Sequence, residues 1–110
     1  MTMGAKGCPI ERAASVLEGK WTLLILRELF TGMKRFGELR AGLDGISPKT
    51  LTERLRILED QGIIERTIYP EVPPRVEYAL TPFGETLRPV IDALRVWGET
   101  ANQVLTPESR

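Results

Sequence analysis

Histidine is absent from this 110-residue chain, and cysteine occurs once, as Cys8. Without histidine there is no Ser-His-Asp triad, no Cys-His dyad and no histidine-ligated metal centre. A lone cysteine cannot close an internal disulfide, and that pattern leads us to expect a reducing, cytoplasmic setting. No apolar run approaches the roughly 20 residues that span a bilayer, and residues 1–7 carry no apolar signal-peptide core. An excess of one charge is missing too: 15 Lys and Arg balance 15 Asp and Glu. Nucleic-acid binders are more often basic, so any affinity for nucleic acid has to come from local clusters. No carboxylate constellation suggests a catalytic site, and no set of side chains suggests a cofactor or a metal. We therefore expect no enzyme.

What is present suits a single domain. Hydrophobic residues make up 42% of the chain, enough for one modest core. The domain is expected over residues 8–105, with flexible tails at 1–7 and 106–110. Pro9 suits the first turn of a short helix, where its missing N–H costs nothing. Ile10, Ala13, Ala14 and Leu17 share one side of that helix, which ends by Gly19. Residues 20–30 follow as a helix that is apolar nearly all round, as a buried central helix is. Thr31-Gly32 breaks the chain, and Phe36, Leu39 and Leu43 mark a short third helix.

Asp44-Gly45-Ile46 then reads as a tight turn. Ser47 suits an N-cap and Pro48 the first position of a fourth helix, which Gly62 ends. At about 100° per residue, Leu51, Leu55 and Leu58 fall on one side of it. Lys49, Thr52, Glu53 and Arg56 fall on the other. These residue types can bond base edges or phosphates, and Ser47 and Thr50 lie at the end that enters a groove. An ordinary amphipathic helix with a solvated charged face, its Glu53 and Arg56 paired at i,i+3, fits the same pattern. Residues 64–69 and 75–80 alternate as strands around a tip with three prolines in residues 70–74. Arg66 and Arg75 lie one on each strand, where a wing reaches the backbone or the minor groove; a small sheet that only covers the core is the other reading.

Helix, turn, helix, then hairpin is the order of a winged helix-turn-helix: mainly α with a small β-hairpin. A last helix is predicted from Pro82 to Leu105 as one piece of about 36 Å, bent at Pro89. Its apolar stripe of Phe83, Leu87, Val90, Ile91, Leu94, Trp97, Ala101 and Leu105 is longer than so small a domain needs, and Leu87, Ile91, Leu94, Trp97 and Ala101 are its expected interface residues. A homodimer is expected there, with Ile10 of the first helix contributing, so that N- and C-terminal helices form the interface. The competing reading wraps the stripe around the chain's own core. Cys8 falls at the N-cap of the first helix, where free N–H groups and the helix dipole favour a thiolate. A redox-sensing thiol and a small buried hydrophobe are both consistent with it.

The chain also resembles a known family. The carriers are Cys8-Pro9-Ile10, Gly19-Lys20-Trp21-Thr22-Leu23-Leu24-Ile25-Leu26, Phe36-Gly37-Glu38-Leu39 and Ile46-Ser47-Pro48-Lys49-Thr50-Leu51-Thr52. Leu55, Leu58, Gly62, the run Tyr69-Pro70-Glu71-Val72-Pro73-Pro74-Arg75-Val76-Glu77-Tyr78, and Leu80-Thr81 with Gly84 extend the match across about residues 8–100. These resemble the HxlR-type winged-helix transcriptional regulators of bacteria and archaea. The resemblance implies a homodimer with a MarR-like arrangement of helices, the fourth helix as recognition helix and the hairpin as wing. It implies double-stranded DNA with two-fold symmetric half-sites as partner. Members with an N-terminal Cys-Pro often respond to thiol-reactive compounds or oxidants, which makes a small electrophile or oxidant a second expected partner. The alternative function is a winged-helix module that binds protein without DNA.

Overall fold

The computed structural model describes residues 7–105. The tails expected at 1–7 and 106–110 fall outside it, apart from Gly7. Helix α1, Pro9–Val16, starts at Cys8, whose extended backbone (φ −93°, ψ 113°) makes it the N-cap. It buries none of its residues. Helix α2, Lys20–Leu29, places Thr22, Ile25, Leu26 and Leu29 in the interior. Its Leu23, Leu24 and Phe30 remain half-buried, so the helix is central but has one open side.

Strand β1, Lys34–Arg35, leads directly into helix α3, Phe36–Gly42. The α3 start is held by Glu38, whose Oε1 accepts from the Arg35 N–H at 2.8 Å. The turn to the next helix needs Gly45, whose φ of +89° is open to glycine and rare for other residues. Helix α4, Pro48–Asp60, opens at Ser47, which accepts from the Thr50 N–H at 3.0 Å. That cap and the proline after it fix where the helix begins. Leu51, Leu55 and Leu58 are at most 2% exposed, and each such burial contributes roughly 1.5–3 kcal/mol. They join Ile25, Leu26, Leu39 and Leu43 in one core under the helix-turn-helix.

Strands β2, Ile64–Tyr69, and β3, Arg75–Leu80, pair antiparallel from Ile64 opposite Leu80 to Tyr69 opposite Arg75. The sheet is not the expected two-stranded hairpin. β1 joins it on the far side of β3, pairing Lys34 with Tyr78 and Arg35 with Glu77. A strand of two residues is too short to show a period in sequence.

The predicted single last helix is two. Helix α5, Pro82–Glu85, stops, and helix α6, Arg88–Leu105, begins after a two-residue break. Pro89 explains the position: it has no N–H for the Glu85 carbonyl and its ring crowds that oxygen. Thr81 caps α5, accepting from the Gly84 N–H at 3.0 Å. Leu87 and Ile91 pack against the protomer's own core. Leu87 lies in the break before α6, and no residue of α6 itself is fully buried.

Candidate nucleic-acid interface

α4 presents two faces of opposite character. Opposite the buried leucines, Lys49, Thr52, Glu53 and Arg56 are all exposed. Among the described residues none of these four side chains hydrogen-bonds or ion-pairs with a protein group, so the pairing of Glu53 with Arg56 does not form. Ser47 and Thr50 behave differently. The Ser47 hydroxyl caps the helix and lies 3.0 Å from that of Thr50, so both shape the helix start. The outer face is a polar set of donors and acceptors on a helix, with no partner among the described residues to satisfy them.

The wing stands beside the far end of α4. Arg66 Nε lies 3.6 Å from Glu59 on α4, with both side chains partly open to solvent. Its cross-strand neighbour Tyr78 sits at the root of the wing. Burial pushes the Tyr78 phenol up, with Arg66, Glu59 and Arg56 the charges that act on it. Wing and recognition face therefore share one electrostatic neighbourhood. Arg75 departs from the expectation of a free cation: its guanidinium is held by Glu71 and Glu77 and stacks on Tyr69. Sequence reading missed all three partners. The alternation in β3 puts Glu77 on the face of Arg75, and the β2 register adds Tyr69.

Cys8 is half-buried. It opens into a cleft of about 560 Å³ between α1 and α5, with Arg12, Gln61, Ile63 and Phe83 on its walls. Of the expected interface residues, Ile10, Leu94 and Trp97 are exposed, at 79%, 44% and 66%. Leu87, Ile91 and Ala101 are half-buried. The open stripe runs through Val90, Leu94, Trp97, Val104 and Leu105; of these, Val104 alone lay outside the predicted stripe. Among the described residues no helix is long and apolar enough to cross a membrane. No group of three His, Cys, Asp or Glu side chains among them could hold a metal ion.

Comparison with known proteins gives this geometry a family. An uncharacterized HTH-type transcriptional regulator of Synechocystis sp. is 53% identical over 91 residues, covering 83% of this chain and 67% of the relative. The solved structure of the redox regulator HypR in its reduced form matches with a TM-score of 0.85 at 42% identity, over 93% of this chain and 99% of that one. A regulator described as of the MarR family, from Enterococcus faecalis, matches with a TM-score of 0.78 at 46% identity, over 94% of each chain. The model of the HxlR-like helix-turn-helix matches residues 16–105. The chain belongs to the HxlR-like helix-turn-helix family of transcriptional regulators.

Proposed function

We propose that the protein is a homodimer that binds a specific DNA operator, with α4 entering the major groove and the β2–β3 hairpin lying alongside as the wing. The observation that carries this reading is the outer face of α4, where Lys49, Thr52, Glu53 and Arg56 are exposed, and unpartnered among the described residues, opposite three buried leucines. Arg and Lys suit guanine, Glu accepts from cytosine N4, and Thr touches the thymine methyl. Ser47 and Thr50 set the groove-entering end. Arg66 is the wing's phosphate contact, moving off Glu59 as DNA approaches. Two-fold symmetry places two recognition helices about 34 Å apart, one turn of DNA.

Selection from a random DNA pool followed by fluorescence anisotropy on the selected duplex tests this. Arg56→Ala is expected to cost about 1–3 kcal/mol at the operator and to relax discrimination at one base position. Affinity for DNA should fall steeply with salt, as counterion release demands. A protein that selects no sequence, or an Arg56→Ala variant with unchanged affinity and discrimination, refutes the assignment and favours a winged-helix module that binds protein.

We further propose that Cys8 makes this binding responsive to oxidants or electrophiles. The supporting observation is a half-buried thiol at the start of α1 that opens into a cleft wide enough for a small molecule. The likeness to the redox regulator HypR lends the reading further support. Modification adds bulk where α1 meets α5, at the root of α6, and so shifts the spacing of the recognition helices. A bridge between two Cys8 residues requires their α-carbons within about 7 Å; otherwise a mixed disulfide or adduct forms. Diamide or a quinone is expected to change operator affinity of the wild type and not of Cys8→Ser. Equal affinity with Cys8 fully modified by mass spectrometry makes the thiol structural.

A further inference from the structure

Arg75 is the most heavily engaged cation among the described residues, and its partners come from three places in the wing. Tyr69 faces it directly across the β2–β3 ladder, so the pleat puts ring and guanidinium on one side of the sheet. The guanidinium carbon lies 3.8 Å from the ring centroid, a cation–π distance. Nη2 donates to Glu71 Oε2 at 2.8 Å and Nε donates to the same oxygen at 3.2 Å. Nη1 donates to Glu77, two residues along β3 and on the same face. All three guanidinium nitrogens donate, a fork geometry that only arginine offers.

Glu71 belongs to the proline-rich tip, residues 70–74, which makes no ladder bonds of its own. Its N–H donates back to the Tyr69 carbonyl at 2.8 Å. The guanidinium also holds the Glu71 carboxyl below the usual carboxylate range. To reach a phosphate, Arg75 would have to leave two carboxylates and a ring. Its side chain is 26% exposed, against 47% for Arg66. With Arg35 opposite Glu77 on β1 and acting on Glu71 as well, the cluster sets two guanidinium groups against two carboxylates and offers phosphate no net positive charge.

We propose that Arg75 is a positioning residue: it staples the tip at Glu71 to β3 and Tyr69, so that the wing meets DNA in one preformed shape, and does not itself bind phosphate. The staple is a property of the free protein; its effect on affinity rests on the DNA-binding reading above. A wing that is already ordered loses less freedom on binding, and that difference appears as affinity.

The test uses Arg75→Lys, Arg75→Gln and Glu71→Ala in the full chain. In the free protein, amide hydrogen exchange at Glu71, Val72 and Arg75 is expected to speed up in all three. Unchanged exchange in both Glu71→Ala and Arg75→Gln overturns the staple, whatever the protein does with DNA. On the selected operator, all three variants are expected to bind about two- to ten-fold more weakly, the range expected from ordering a contact segment on binding. Their dependence on salt should match that of the wild type. A phosphate contact predicts other results: Arg75→Lys near wild type, Arg75→Gln with a salt slope lower by about 0.9, and Glu71→Ala binding more tightly because a cation is released. Any of these three overturns the proposal.

Discussion

Replacing both Leu94 and Trp97 of α6 with glutamate yields a folded monomer that no longer holds its operator. The two side chains are 44% and 66% exposed in the protomer, so the change removes nothing from the core. In the proposed dimer they lie on the shared stripe with Val90, Val104 and Leu105. The protomer alone is a poor explanation for that stripe. α6 has 18 residues and none is buried. The radius of gyration is 16.1 Å, against about 13 Å for a compact domain of this length. A helix so exposed contributes to the fold only when something covers it, and a second copy offers the same apolar stripe. Each large side chain buried there contributes roughly 1.5–3 kcal/mol, and a carboxylate in its place has to be desolvated without a partner. A monomer engages one half-site, so operator binding should fall to the non-specific level, by at least about a thousand-fold. Sedimentation velocity and anisotropy on the same samples decide. A double variant that stays dimeric and binds like the wild type moves the interface off α6.

The parts legible in sequence were those governed by local rules. The α4 boundaries followed from a cap, a proline and a glycine, and its two faces from a period of 3.6 that the buried leucines obey. The strand limits of the wing followed from alternation and from the prolines between them. Longer-range facts were hidden. β1 is an edge pairing of two residues, made only because the chain returns past β3. The break before α6 had its signal in Pro89, but the apolar stripe ran through it and suggested one helix. Arg75 was read as a free cation because its ring partner depends on strand register, and register depends on how a stiff five-residue tip closes. Leu87 and Ile91 carry the same chemistry as Leu94 and Trp97. Only the angle at which α6 leaves the domain decides which pair faces inward.

The junction leading into α6 is tightly packed at Gly84, and Gly84→Ala should be the most damaging methyl that can be added at a glycine among the described residues. An added Cβ would sit 2.1 Å from the Ile63 carbonyl oxygen and 3.1 Å from its carbon. The obstacle is backbone, which cannot rotate away as a side chain can. Nor is that carbonyl free to move. It accepts from the Thr81 N–H at 3.0 Å, and the Thr81 hydroxyl donates to the Gly62 carbonyl next to it. The same hydroxyl oxygen caps α5 through the Gly84 N–H. One close approach therefore joins the α4–β2 turn, the N-terminus of α5 and the path into α6. Relieving the clash means breaking the cap or lifting α5 off Ile63, which is 1% exposed. The expected loss is about 3 kcal/mol or more, a large fraction of the 5–15 kcal/mol typical of a domain. Gly37→Ala is the control, since a Cβ on that α3 residue meets nothing within 4 Å. It should be neutral or stabilise by up to about 1 kcal/mol through helix propensity. Urea unfolding of both variants at one fixed protein concentration reads the difference. If Gly84→Ala unfolds with the wild-type midpoint, the junction yields at little cost and α6 is not rigidly aimed by it.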